Sequence, residues 1–391
     1  MNVGFSEKFS TPCITILSED EIRIDQSVCL LPVAIIYGRF AGLSGYSSIV
    51  QKAIKLLDGN TVGLDRRLRR DSLRRLADPT GANVTGPPIL PGSSISAANN
   101  DDVAGSAGVF IRPKRFNETY PHGQPFLLTA AHVLKKHDST LLGTYNQLFL
   151  DSVEDVTVAN IISPGKLHIL KRLSILQHVG SFDATTLAPW VLAAEKSCGH
   201  VVAGRIGADR FSWGEDVALV HVDPQYSGQN GAWHDLPEFL QLFSEAGGNA
   251  TAFVGKIIGA VDSKNLCNGL CYKNGSASGW SAGKFHSNRV ETFLKGTTSP
   301  VEEVERIHPG NVRARVEVVQ AAGNGGEFAE GGDSGSPILS PTLDGRNFVF
   351  CSMVIGAFDP RVGERVVFAV PQSRIFDQIH ALTGVEWELD I

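Results

Sequence analysis

The run Gly331-Gly332-Asp333-Ser334-Gly335-Ser336-Pro337 decides the reading of this chain. Ser334 follows an aspartate, and glycines flank the pair. Glycine lets the backbone turn tightly, so a hydroxyl can point into a cleft while neighbouring N–H groups converge on one spot. A serine nucleophile needs both. Taken alone, the run also fits an ordinary Gly/Ser turn.

Two upstream motifs narrow the choice. Leu128-Thr129-Ala130-Ala131-His132-Val133 sets a histidine after an apolar, strand-like run, with small residues beside it that permit close packing. Asp216 opens the apolar strand Val217-Ala218-Leu219-Val220. Each has a plain alternative: His132 as a core histidine capping a short helix, Asp216 as an exposed strand start. Glu215 and Asp183 are competing acids. A serine hydroxyl is a weak nucleophile until a base takes its proton. Histidine suits that task because its pKa lies near neutrality. A buried carboxylate fixes the imidazole tautomer and stabilises the imidazolium.

With the three motifs in the order His, Asp, Ser, the chain resembles the chymotrypsin-like (trypsin-fold) serine peptidases. The resemblance covers roughly residues 105–391. It implies an all-β core of two antiparallel six-stranded barrels followed by a C-terminal helix. His132 and Asp216 would belong to the first barrel and Ser334 to the second. The implied activity is that of a serine endopeptidase working through an acyl-enzyme, with a polypeptide substrate and no metal or organic cofactor. The N–H groups of Gly332 and Ser334 would form the oxyanion hole. The resemblance puts a substrate-pocket floor at Phe328 and Ala329, with walls from Gly356 and Ala357 and from Val366. Val366 would narrow the pocket towards small or medium apolar side chains. Glu327 stands one position from where enzymes cleaving after Lys or Arg carry an acid. Val354 stands where the family often places a serine that supports the catalytic aspartate. Asp333 corresponds to the residue that, in secreted zymogens, pairs with a newly cut N-terminus, yet no Ile-Val-Gly-Gly-like start follows a basic residue here. Ser336 replaces a glycine of the animal enzymes, a variant closer to bacterial, fungal or viral branches. A catalytically silent scaffold on the same fold, or an effector kept latent by its N-terminal segment, are the alternatives.

The rest of the chain agrees with a globular β-rich protein. Of its 391 residues 42% are hydrophobic and 19% charged, and 41 glycines and 19 prolines suit many strands and turns. A net charge of −6 is too mild to imply a nucleic-acid or membrane partner. The apolar run Val28 to Tyr37 falls far short of the ~20 residues of a spanning helix. Met1 to Lys8 lacks the pattern of a secretory leader. The six cysteines miss the two bridges typical of secreted family members, since Val133 follows His132 and residues 330–333 hold no Cys. Cys267 and Cys271 have no partner pair at zinc spacing. A cytoplasmic, reducing setting is the expectation, and the N-x-S/T tripeptides at Asn83, Asn117, Asn249 and Asn274 are discounted.

Along the chain, residues 1–78 read as a partly helical regulatory or pro-like extension. Ile49, Val50, Ala53, Ile54 and Leu57 have helical spacing. Leu64, Leu68, Leu73 and Leu76 lie among six arginines between 66 and 75. That basic face is a solvated surface, a contact for an acidic regulatory partner, or a cleavage site. Residues 79–107, rich in Pro, Gly, Ser and Asn, read as a linker, and 108–391 as the peptidase-like domain. Strands are expected at 109–111, 126–128, 156–162, 217–222, 252–258, 312–319, 348–354 and 366–370, and a helix at 373–382. Spacings of 84 residues from His132 to Asp216 and 118 from Asp216 to Ser334 suggest loop insertions over 163–200 and 264–304. No internal repeat is visible.

Overall fold

The computed structural model describes backbone strands at 2–3, 11–12, 14–18 and 33–41, and then residues 88–98, 103–121, 123–134, 147–148, 160–165, 168, 196–208, 214–266, 269–286, 290–295, 311–322, 327–360 and 365–391. The expected helices at 46–57 and 64–77, and Asp183, lie outside the described residues.

The first sheet holds β1 (Ser94–Ala97), β2 (Gly105–Ser106), β3 (Phe110–Pro113), β4 (Phe126–Thr129), β5 (Asn160–Ile162), β6 (Gly199–Ala208) and β7 (Gly214–Val222). Its antiparallel order is β3-β4-β7-β6-β5-β1-β2, with Trp387–Leu389 added outside β3 and Gln147–Leu148 beside β6. β2 and β3 are two ends of one stretch, residues 105–113. The first end pairs with β1 and the second with β4. Between them, Ala107 N–H donates to the Ser93 carbonyl and Gly108 N–H to that of Leu128. The sheet therefore curls until its two ends share one piece of chain.

The second sheet closes on itself. It holds β8 (Leu270–Gly275), β9 (Gly279–Phe285), β10 (Asn311–Ala321), β11 (Pro337–Pro341), β12 (Phe348–Pro360) and β13 (Val366–Pro371). Antiparallel pairs β8-β9, β9-β10, β10-β13, β13-β12, β12-β11 and β11-β8 complete a six-stranded ring. Counting residues 105–113 as one strand, both sheets join their members as first, second, third, sixth, fifth, fourth. The connectivity repeats where the sequence does not, because backbone hydrogen bonds accept many side-chain sets. Together they make a chymotrypsin-like two-barrel architecture.

Burial on both faces explains the apolar runs. In β7, Val217 and Leu219 face the cluster shared with Phe239, Tyr272, Phe348 and Ile375, while Ala218 and Val220 face Ile95, Phe110 and Ile161 inside the first barrel. Period-2 alternation with both faces covered leaves no polar position over residues 217–220. The helix α1 (Ala131–Leu134) follows β4 directly. α2 (Leu236–Glu245) buries Phe239 and Phe243, and α3 (Gln372–Thr383), the expected C-terminal helix, buries Ile375 and Ile379. Asn230 ties the inter-barrel connection to β3: its amide accepts from Phe110 N–H and donates to the Phe110 and Asp390 carbonyls.

Three expectations change. Residues 94–97 and 105–106, read as linker, are buried strands of the first barrel. Their serines hid the signal: Ser94 Oγ meets His168 Nδ1 and the Gly165 N–H, and Ser106 Oγ donates to the Gly332 carbonyl. Residues 252–258 are not one strand. The Asn249 side chain accepts from Thr251 N–H and caps a 3-10 turn at Ala250–Ala252, and only Ile257–Ala260 is extended. Within the expected helical extension, Val33–Ala41 is a strand, parallel to Ile14–Ser18 and antiparallel to residues 357–360 of β12. Among the described residues Cys198, Cys271 and Cys351 are free and buried. Burial pushes the Cys198 thiol up to about 12, so it stays protonated and inert.

His234 sits in the inter-barrel connection, with Nε2 against Ser93 Oγ and its carbonyl taking the Trp280 indole N–H. Burial lowers its pKa to about 4. The unfolded chain therefore binds a proton below about 6.5 that the folded chain refuses, and stability falls as pH drops from there towards 4. Urea unfolding at pH 7.5 and pH 5 should show a His234 contribution of about 2 kcal/mol lost at the lower pH, absent in His234→Gln.

Candidate active site

The three sequence motifs converge at the seam between the barrels. β4 runs into α1, which carries His132, and Asp216 lies in β7, paired beside β4. Asp216 Oδ1 accepts the His132 backbone N–H at 3.0 Å, and Oδ2 faces His132 Nδ1 in direct hydrogen-bond contact. A carboxylate only accepts, so in the neutral imidazole the proton sits on Nδ1 and the lone pair on Nε2. Glu215 is excluded as a rival by strand alternation: it turns to the other face of β7 and pairs with Arg205 at 3.5 Å.

Ser334 sits in the turn entering β11. Its backbone is fastened to the first barrel, because Ser106 N–H donates to the Ser334 carbonyl at 2.7 Å. Gly335 follows at φ +91, and a Cβ there would lie 2.3 Å from both the Ser106 carbonyl oxygen and Thr129 Oγ1. Only glycine permits this approach. Among the described residues, His132 Nε2 and Ser334 Oγ are both buried without a hydrogen-bond partner. Buried polar atoms are seldom left so, and such orphans call for an explanation.

The oxyanion candidates show the same pattern. Asp333, Gly335 and Ser336 N–H donate to the carbonyls of Glu330, Val354 and Asp333. The Gly332 and Ser334 N–H groups have no such acceptor among the described residues. The Gly332 carbonyl is turned away and held by Ser106 Oγ at 2.9 Å and Ser276 Oγ at 2.7 Å. The buried imidazole of His168 lies against Gly332, near enough that a Cβ there would be 3.0 Å from its Nε2.

Asp333 is wholly buried. Its Oδ1 accepts from Ala277 and Ser278 N–H at 3.0 and 3.2 Å. Its Oδ2 accepts from Lys273 Nζ at 2.8 Å, Ser278 Oγ at 2.7 Å and Glu330 N–H at 2.8 Å. Burial alone would raise its pKa. The Lys273 charge and these hydrogen bonds outweigh that and hold the carboxyl below its ordinary value.

Phe328, Ala329 and Ala357 belong to the interior cluster of the second barrel with Cys271, Ile338 and Val367. Phe328 turns inward because Gly283 opposite leaves room for its ring. Val366 packs with Val316, Phe358 and Phe368 in a separate cluster, and Gly356 is buried. All five are buried. Glu327 is paired with Arg365 at 2.7 Å, which neutralises it, and Arg365 also donates to the Ala329 carbonyl. Val354 supports the turn through its backbone, donating to the Ser336 carbonyl and accepting from Gly335 N–H. Sequence reading missed Ser106, Ser276, Ser278 and Lys273. Of these only Lys273, a lone charge after Leu270-Cys271-Tyr272, left a trace.

No family model and no curated protein matches the chain. Solved structures do. Thermobifida fusca Protease A is 13% identical, the match covering 77% of this chain and 98% of that one at a TM-score of 0.38. Nocardiopsis Protease gives 13%, 78%, 99% and 0.38, and Cellulomonas bogoriensis chymotrypsin 13%, 76%, 97% and 0.35. The chain is thus similar to chymotrypsin-like serine proteases. The assignment of its fold rests on the strand connectivity, and the reading of its site on the site's own geometry.

Gly335→Ala should cost at least about 2 kcal/mol in urea unfolding, from positive φ and backbone overlap together. A loss below half a kcal/mol would mean that the Ser334 turn is not wedged against Thr129.

Proposed function

We propose that the chain is a serine endopeptidase with Ser334 as nucleophile, His132 as general base and Asp216 as its orienting carboxylate. One observation carries the reading. A histidine whose Nδ1 is committed to a carboxylate keeps a buried, unpaired Nε2, and an equally unpaired serine hydroxyl lies across the same seam. Ser334 Oγ attacks the scissile carbonyl as its proton passes to His132 Nε2. The tetrahedral oxyanion is held by the Gly332 and Ser334 N–H groups. His132 then protonates the leaving amine, giving an acyl-enzyme. Water attacks that ester with His132 again as base, releasing the acid and restoring Ser334. Each donor of such a hole is typically worth ~2.7–4 kcal/mol in the transition state.

The substrate is a polypeptide, with neither nucleic acid nor membrane as partner, and the setting is cytoplasmic. A pocket formed by Phe328, Ala329, Gly356, Ala357 and Val366 would favour small or medium apolar side chains before the scissile bond, and Glu327, paired with Arg365, would not select a basic one. A fluorophosphonate probe should label the chain. Ser334→Ala should abolish labelling, and His132→Ala or Asp216→Asn should slow it by roughly ten-thousand-fold. Labelling retained in Ser334→Ala would overturn the assignment.

A second reading, latency imposed by the N-terminal segment, is favoured by two observations. Ser334 is wholly buried. The Val33–Ala41 strand also occupies the free edge of β12 at residues 357–360, three positions from Val354, whose carbonyl holds Gly335. An extended peptide would bind by adding to that edge. Removing residues 1–87, a cut that spares β1, should raise the labelling rate tenfold or more if the strand competes. An unchanged rate would argue for a constitutive enzyme. A regulatory partner for residues 1–78 would act by drawing this strand away.

A further inference from the structure

We propose that His200 and His221 form a binding site for a divalent transition-metal ion of the zinc type on the outer face of the first barrel, with two imidazoles as ligands and water in the remaining positions. The site is separate from the candidate active site, and the ion takes no part in the reaction proposed above.

β6 and β7 pair with His200 opposite His221. Directly opposed residues of an antiparallel pair put their side chains on one face, with Cβ atoms about 4.5–5.5 Å apart. Val220 and Val222, on either side of His221, belong to the interior cluster of the first barrel. Alternation therefore turns His221 outward, and His200 with it. The two ring centres are 5.0 Å apart, with their planes tilted by 40°. A tetrahedral ion holding two nitrogens at about 2.0–2.1 Å spaces them about 3.4 Å apart. Rings this close span that gap after a modest turn of His200, which is exposed. His221 is half-buried and supplies the fixed half of the pair. Phe126 meets its ring in a T-shaped contact at 5.6 Å, and Phe126 is itself held by Tyr120 and Trp387.

An imidazole binds such an ion only as the neutral ring. Burial lowers the pKa of His221, the neighbouring His200 adds to the effect, and Asp223 opposes it. At neutral pH His221 therefore offers a lone pair. Among the described residues its Nδ1 is buried with no hydrogen-bond partner, whereas His132 Nδ1 is committed to Asp216. The His221 proton can thus sit on either nitrogen, as a ligand imidazole requires. Asp223, just past the end of β7, brings its negative charge to bear on the ring. Cys198 is excluded as a ligand, because its buried thiol stays protonated and donates to the Ile161 carbonyl at 3.3 Å. Among the described residues no three ligating groups converge on one point. The site is therefore open, and its donor type selects the ion. Imidazole suits zinc, copper and nickel, whereas calcium and magnesium demand oxygen. A bound ion would tie β6 to β7, the strand that also carries Asp216, without touching Asp216.

The test titrates Zn²⁺ into the full chain carrying His132→Ala, which removes the other uncommitted imidazole nitrogen, and into the same chain with His200→Gln or His221→Gln added. Calorimetry should find a Zn²⁺ ion bound with a Kd of roughly 10 μM, weakened tenfold or more by either glutamine and unaffected by about 1 mM Mg²⁺. Cu²⁺ in place of Zn²⁺ should show coupling to two nitrogens in its electron paramagnetic resonance spectrum, and to one in either variant. His200 is exposed, so His200→Gln keeps the test readable if His221→Gln, which loses its packing on Phe126, does not fold. No saturable binding of Zn²⁺ up to about 1 mM, or a smaller than tenfold weakening in His200→Gln, would overturn the proposal.

Discussion

The site depends on a single seam hydrogen bond, from the Ser106 N–H of the first barrel to the carbonyl of Ser334 in the second. The proposed nucleophile and base lie on separate barrels and share a geometry only if the barrels cannot slide. Backbone bonding at the nucleophile itself puts the constraint where an error of an ångström matters most. The neighbouring contacts reinforce it. Ser106 Oγ and Ser276 Oγ both hold the Gly332 carbonyl, and Ser276 N–H donates back to Ser106 Oγ. Gly335 wedges between Ser106 and Thr129. Serine suits this seam because one hydroxyl both donates and accepts in little volume.

The carboxylates beside the site are handled in opposite ways. Asp216 keeps some exposure and, among the described residues, accepts only from the backbone and ring of His132. In the proposed reaction it would answer the charge that comes and goes on the imidazole. Asp333 is wholly buried and meets five donors, one of them an ammonium. A charge so fully satisfied gains nothing from any change nearby, so it serves as a fixed point. Partial satisfaction would be the worst case for a buried group. Within one small region, the chain separates the charge that must respond from the charge that must not.

The sequence disclosed what is local and concealed what is made by the fold. His132, Asp216 and Ser334 each sit in a short local motif, so a short window is enough to single them out as candidates. Strands such as 217–222 and 366–370 were legible because both faces are buried and the run is continuously apolar. β1 and β2 were not, since their buried residues include serines whose hydrogen-bond partners lie far along the chain, as Ser106 and Gly332 do. Lys273 and Asp333 stand 60 residues apart, and only barrel closure brings them together. The burial of the expected pocket residues was hidden for a related reason. They were taken by distance along the chain from Ser334, whereas strand alternation decides which side chains turn inward. Phe328 follows the space above Gly283 rather than a count from the nucleophile.

The repeated connectivity gives this arrangement its logic. Each barrel closes its own strand ladder, while Val217 and Leu219 of the first share a core cluster with Tyr272 and Phe348 of the second. Their contact is then the place where groups can stay unpaired without unravelling a sheet. Nε2 of His132, Oγ of Ser334 and the N–H groups of Gly332 and Ser334 all lie there. Unpaired polar groups inside a barrel would weaken it directly. At the seam their cost is borne by a junction already fixed by Ser106, Ser276 and Gly335. The chain gathers unsatisfied donors, acceptors and a hydroxyl where two rigid bodies hold them still, which is the condition under which they can act on a substrate rather than on one another.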